Sequence, residues 1–437
     1  MDHDFTLLSS RRQFLRGSAQ ASALAFLPPV AEGERKGQDA TFEGFSTLRP
    51  LGERVQPISA DEFHERVLHA QRLMSGAASG DSSPRYDALF FTPGTSLYYF
   101  SGVRWQASER LLALVIPRSG QPIVIVPAFE EGRLREQLHY PAEVRAWQED
   151  ENPTKLAAAA LADRGVRTGR VGVEERVPFT FFSRLRQAAP AFEYLSADPI
   201  TIACRARKSP HELQLMRLAC EATFDVFRVI FHSLKAGMSQ KFIGQQIRSG
   251  FSKMGLEGDA LVLLGASAAL PHGSRQPREL KEGDVVLIDG GCPVEGYQSD
   301  VTRTGVLGKP PQKALDAFET LRKSQDAALD AARAGRKAET VDAAARAVVT
   351  NAGYGSDYKF FTHRVGHGIG LDGHEYPYLV RGNEVMLEAG MTFSNEPGIY
   401  VPGEFGVRCE DDMVIMGEGP AQLLTPGFAV SLERPFG

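Results

Sequence analysis

Residues 284–291 (Asp-Val-Val-Leu-Ile-Asp-Gly-Gly) and 298–305 (Gln-Ser-Asp-Val-Thr-Arg-Thr-Gly) read as two strands, each with an aspartate set into a sheet-forming run. Pro293-Val294-Glu295-Gly296 lies between them, which suits a hairpin. A turn centred between Val294 and Glu295 sets Asp289 opposite Asp300 in the ladder. Like charges placed that way destabilise a sheet unless a proton or a cation lies between them. A metal ion is the economical explanation, so this part of the chain must fold into an antiparallel sheet with a polar, cation-holding patch.

Further donors follow. Residues 363–374 (His-Arg-Val-Gly-His-Gly-Ile-Gly-Leu-Asp-Gly-His) carry three of the ten histidines. Imidazole is a common ligand for divalent transition metals, and flanking glycines let backbone approach closely. A single histidine is more often a satisfied core or surface residue, and it is the density that favours a site. The same run contains a formal G-x-G-x-x-G at Gly368, Gly370 and Gly373, but His374-Glu375-Tyr376-Pro377 follows where a dinucleotide fold needs a helix. Glu396 ends a strand over 391–395, just before Pro397-Gly398. In a strand over 407–415, alternation puts Arg408, Glu410 and Asp412 on one face and Val407, Cys409 and Met413 on the other. Taken alone, either glutamate reads as a solvated edge charge, and Cys409 reads as packing.

The rest of the chain supplies the frame. Capped apolar periodicity predicts helices over 59–74, 153–163, 179–188 and 209–234, with further helices near 239–253, 311–333 and 339–352. Short apolar runs at 88–92, 111–116, 123–127 and 170–173 read as buried strands. Strands alternating with helices indicate an α/β domain over 59–204, and the Gly-, Pro-, His- and Glu-dense remainder indicates an α+β domain over 205–437. Residues 32–58 are expected to be a linker. With 49 basic against 54 acidic residues, the chain lacks the cationic excess that nucleic-acid binding requires. Its four cysteines show no CxxC pairing, and no apolar run is long enough to span a bilayer. Ser10-Arg11-Arg12-Gln13-Phe14-Leu15-Arg16, followed by a weakly apolar stretch, resembles a twin-arginine export signal over residues 1–31. This implies the twin-arginine translocase as a partner and the bacterial periplasm as destination, with no stable membrane anchor.

Together these segments resemble the pita-bread (M24) metallopeptidases, among them aminopeptidase P, prolidase and methionine aminopeptidase. The resemblance is strong over 205–437. It extends more loosely over 59–200, where Thr92-Pro93-Gly94, Leu97-Tyr98-Tyr99-Phe100-Ser101-Gly102 and Glu109-Arg110 look like the creatinase-type N-terminal domain of the proline-specific members. It implies that Asp289, Asp300, His367, Glu396 and Glu410 ligate two divalent metal ions, with Asp300 and Glu410 bridging. Four carboxylates would balance two such cations, and four oxygens with one nitrogen favour Mn²⁺, with Co²⁺, Zn²⁺ and Fe²⁺ as alternatives. Glu396 would also be the general base, His272 and His374 would contact substrate, and His363, Arg408 and Tyr400 would lie beside the metals. Cys409 and Arg364 depart from the residues usual at their positions.

The implied reaction is hydrolysis of the bond between an N-terminal residue and proline in a peptide substrate. An Xaa-Pro aminopeptidase is the first expectation and an Xaa-Pro dipeptidase (prolidase) the alternative. The N-terminal domain argues against methionine aminopeptidase, and a homodimer or higher homo-oligomer is expected. A metal-free creatinase-type hydrolase, a lyase on this fold and a non-catalytic binding module are the rivals, and the complete ligand set disfavours the first and the last.

Overall fold

The computed structural model describes residues 42–76, 85–274, 276–427 and 430–436, which form one compact unit. The segment read as an export signal, residues 1–31, and the first part of the expected linker lie outside the described residues. Within the linker the expectation fails from Phe42 onward. Phe45, Leu48, Leu51 and Ile58 are buried, Phe42 meets the Phe242 ring edge-on, and Arg54 pairs with Glu221. Apolar residues spaced through a polar stretch escape a periodicity test: Phe45 lies in one short 3₁₀ turn, Leu48 and Leu51 flank that turn and the next, and no α-helix or strand carries any of the four.

The first domain contains α1 (Ala60–Met74), β1 (Ala88–Phe91), α2 (Thr95–Ser101), β2 (Ala113–Pro117), β3 (Ile123–Pro127), α3 (Glu131–Arg135), β4 (Glu143–Trp147), α4 (Pro153–Asp163), β5 (Gly169–Val173), α5 (Phe179–Ala188), β6 (Phe192–Ser196) and α6 (Asp198–Arg205). Ser59 caps α1 in a reciprocal capping box with Glu62. The sheet runs β4-β3-β2-β1-β5-β6, with β1 antiparallel to β2 and parallel to β5. Alternation divides its central strands between two cores. Leu89, Phe91, Leu114 and Ile116 face the side of α1 and α2, whereas Phe90, Ala113, Val115 and Ile125 face α4 and α5.

The second domain opens with α7 (Pro210–Ser233), capped by Ser209 with Pro210 at its first position, then α8 (Gln240–Lys253). It continues through β7 (Asp259–Leu264), β8 (Val285–Gly291), β9 (Pro293–Val294), β10 (Tyr297–Gln298), β11 (Val301–Val306), α9 (Gln312–Ala331) and α10 (Glu339–Val349). The last part is all strands: β12 (Gly366–Gly368), β13 (Glu375–Leu379), β14 (Thr392–Asn395), β15 (Gly398–Val401), β16 (Phe405–Arg408), β17 (Asp411–Val414) and β18 (Gln422–Leu423). One sheet is ordered β11-β8-β7 and another β13-β12-β14-β17-β18.

Two expected registers change. Val294 pairs with Tyr297, so the hairpin turns on Glu295 and Gly296, both at positive φ (50° and 89°) as a type I′ turn requires. Asp289 consequently faces Thr302 and not Asp300. Moving a turn by one residue slides the pairing by two, which keeps both aspartates on the same face. The strand expected over 407–415 is two strands. β16 pairs with β15 and β17 with β14, and the chain changes sheets at Cys409 and Glu410. Glu410 bridges to Thr302 at that break, and Cys409 is buried in the core beneath.

Candidate metal centre

The five expected ligands come from five places in the fold and converge. Asp289 lies on β8, Asp300 immediately before β11, His367 in the middle of β12, Glu396 just after β14 and Glu410 between β16 and β17. Donor atoms of Asp289, Asp300 and Glu410 lie within 4.8 Å of one another, as do those of His367, Glu396 and Glu410, and those of Asp300, His367 and His374. The groups overlap at Glu410, Asp300 and His367. Such sharing suits two neighbouring cations better than one.

Close backbone packing makes this possible. A Cβ on Gly366 would fall 2.0 Å from the Ser394 carbonyl oxygen, and one on Gly368 would fall 2.5 Å from that of Glu375. Glycine on either side of His367 therefore lets β12 press between β13 and β14.

The imidazoles are held as neutral acceptors. His367 Nδ1 donates to the Gly368 carbonyl at 3.1 Å, which leaves the Nε2 lone pair facing Glu396 (3.3 Å) and Asp300 (3.7 Å). Burial, with repulsion from His374, depresses its basicity to a pKa of about 3. His363 is fixed in a chain. Its Nδ1 donates to the Arg364 carbonyl (2.8 Å), its Nε2 accepts from the Tyr400 hydroxyl (2.7 Å), and that hydroxyl accepts from Arg408 Nη1 (2.7 Å). His374 stacks on His367 at 3.7 Å and accepts at Nδ1 from Arg364 Nη2 (3.3 Å), so its proton sits on Nε2. His272 stands exposed on the loop after β7, near enough to disfavour protonation of His374.

Charge at the centre is unbalanced. Burial and mutual repulsion push the carboxyls of Asp300 and Glu410 well up, and burial lifts Glu396 to about 8. Burial acts the same way on Asp289, but Arg408 and the Thr302 hydroxyl outweigh it and hold that carboxylate below its ordinary range. Arg408 is the cation packed among them, with Nη2 on Asp289 and Nε donating to Thr302 Oγ1. One guanidinium cannot neutralise four buried carboxylates, whereas two divalent cations do. The residues fit a pair of hard or borderline divalent ions.

Three residues of the site escaped sequence reasoning. The Thr302 hydroxyl lies 2.8 Å from Asp289 and 2.6 Å from Glu410, and its single proton serves one at a time. Ser394 Oγ accepts from the His367 amide at 3.0 Å. Asp412, fully buried, accepts from the Asp300 amide at 3.0 Å, and burial raises its carboxyl to about 8. Alternation from Asp300 would have found Thr302 two positions on.

Known proteins share this arrangement of domains. Residues 214–416 match metallopeptidase family M24, and residues 69–207 match the creatinase/prolidase N-terminal domain. The probable dipeptidase PepE of Mycobacterium tuberculosis is 36% identical over 358 residues, covering 80% of this chain and 93% of that protein. An Xaa-Pro dipeptidase of Lactobacillus helveticus is 33% identical over 344 residues, 76% of this chain and 91% of that one. The crystal structure of dipeptidase PepE from Mycobacterium ulcerans superposes with a TM-score of 0.77 at 33% identity, covering 85% of this chain and 98% of that chain.

Proposed function

The chain belongs to metallopeptidase family M24, and we propose from this premise that it hydrolyses Xaa-Pro dipeptides using two divalent cations, Mn²⁺ foremost. The observation that carries the proposal is the convergence of five donors in overlapping groups around buried, otherwise uncompensated carboxylates. The sequence alone put the aminopeptidase first; relatives named dipeptidase and Xaa-Pro dipeptidase weigh for the alternative.

When bound, the cations supply Lewis acidity that polarises the scissile carbonyl and lowers the pKa of water toward neutrality. The protein's own groups do the rest. Glu396 takes the proton of the attacking water and returns it to the departing proline nitrogen. His374 presents Nε2–H as a hydrogen-bond donor for the substrate carbonyl, a role fixed by Arg364 at Nδ1. The Arg408–Tyr400–His363 chain holds its three polar groups in one orientation beside the carboxylates.

Enzyme stripped with a chelator and resupplied with Mn²⁺ or Co²⁺ should recover hydrolysis of Xaa-Pro, with Xaa-Pro-Yaa cleaved poorly. Efficient cleavage of Xaa-Pro-Yaa with none of Xaa-Pro would move the assignment to an aminopeptidase. Cleavage of neither, with any of the four metals, would remove the peptidase reading.

A further inference from the structure

Residues 355–365, between α10 and β12, form no helix or strand, yet they carry His363 and lead into the ligand His367. The amides and carbonyls of such a stretch need partners from elsewhere. One ion pair on α10 supplies several of them. Asp342 and Arg346 stand one turn apart, both buried, and meet at 2.6 Å.

All five N–H donors of the Arg346 guanidinium are taken. Nε and one Nη2 proton go to the two oxygens of Asp342 (2.6 and 3.2 Å), the Nη1 protons go to the carbonyls of Asp357 (2.9 Å) and Phe361 (2.8 Å), and the second Nη2 proton goes to the carbonyl of His363. The ring centres of Tyr358 and Phe361 each lie 4.3 Å from the guanidinium carbon. Asp342 Oδ1 also accepts from the Val365 amide at 2.9 Å. The loop is thus wound round a single ion pair.

The loop in turn holds the site. The Val365 carbonyl accepts from the Glu396 amide at 2.8 Å, and the Phe360 carbonyl accepts from the Tyr400 amide at 3.0 Å. Two successive hydrogen bonds therefore run from Asp342 to the backbone of Glu396. A buried ion pair is often no more stabilising than apolar residues of the same volume. A planar fork that reaches three carbonyls and a carboxylate at once gives what no apolar side chain can, a fixed backbone path.

We infer, resting on the peptidase reading, that the Asp342–Arg346 pair is the positioning element for Glu396 and for the His363–Tyr400 hydrogen bond, and that it acts on both through the loop from outside the metal centre.

The test compares metal-loaded wild type with R346K, R346M and D342N on an Xaa-Pro substrate. R346K keeps the charge but has three donors in place of five. It should lower kcat by about 10-fold and R346M by about 100-fold, the scale that a small misplacement of a reacting group costs, with KM within about threefold of wild type. D342N, which keeps an oxygen for the Val365 amide, should lie with R346K. Thermal unfolding separates stability from position: R346K should regain most of the melting temperature lost in R346M while its kcat stays low. Hydrogen exchange reads position without turnover, and peptides covering 363–367 and 394–400 should lose protection in the variants while those of the first domain do not. A wild-type kcat in R346K, or unchanged exchange at Glu396 and Tyr400, would overturn the positioning role. Should R346M fail to fold, R346K and D342N give the same two readings. A wild type that cleaves no Xaa-Pro peptide would overturn the function proposed above, while the exchange data would still decide whether the pair holds Glu396 and Tyr400.

Discussion

Thr302 does for the carboxylates what no charged residue can do. It sits opposite Asp289 in the ladder, reaches Glu410 across the break between β16 and β17, and accepts from Arg408, so one hydroxyl sets the spacing of two ligands. Thr302→Val keeps the shape and removes those bonds. It should weaken metal retention by about 10- to 100-fold, as loss of a ligand's supporting partner commonly does, with the fold intact. Titrating metal into stripped enzyme and following recovered activity measures this; an unchanged half-saturation point would contradict it. Of the five candidate ligands, Asp289, Asp300 and His367 were legible in the residues themselves, as aspartates on neighbouring strands and a His- and Gly-dense run, while Glu396 and Glu410, which read alone as edge charges, were legible only through the family resemblance. Thr302, Ser394 and Asp412 were not, since a hydroxyl or a further acid becomes functional only through register. Placing the turn at Val294 and Glu295 in place of Glu295 and Gly296 was enough to hide the pairing of Asp289 with Thr302.

At the scale of elements, α6 and the stretch after it govern the loop that carries His374. Arg205, half-buried at the end of α6, binds Asp372 at 2.8 Å and Glu375 at 2.6 Å, the residues on either side of His374 and Gly373. Lys208 adds a second ion pair to Glu375, and Thr95 at the start of α2 donates to Asp372 at 2.6 Å. Arg205→Met should free this loop and lower kcat by about 10- to 100-fold through misplacement of His374, with metal content unchanged. Arg205→Lys should recover part of the loss, and a fall in metal content equal to the fall in kcat would refute a positioning role. Elements were legible where burial was strong: α4, α5 and β3 begin and end where periodicity put them. β4 and β6 were not seen. They are edge strands whose Glu143, Arg145 and Glu193 face solvent or ion pairs, which removes the apolar signal. The break at Cys409 and Glu410 was invisible for the opposite reason, because the run is uninterrupted in sequence and only its partners change.

Across the whole molecule, residues 42–58 and both domains share one hydrophobic core. Phe45 packs against Gly250 of α8, and Gly44 lies against Val229 of α7. Phe45→Ala should therefore destabilise the catalytic domain by about 3 kcal/mol, although Phe45 is remote from it in sequence. Thermal unfolding of the metal-loaded enzyme checks this, and a melting temperature equal to wild type would show the segment to be dispensable. The same interlocking governs the hairpin that bears the two aspartates. Its tip is gripped from the first domain, where Tyr98 donates to the Glu295 carbonyl at 2.9 Å and Arg66 donates to the Tyr297 hydroxyl at 2.8 Å, and that hydroxyl donates in turn to Glu212 of α7 at 2.5 Å. The hairpin is a lever with its handle in one domain and its load in the other, so any slackening of the first domain is transmitted as a change in how firmly the second keeps its cations.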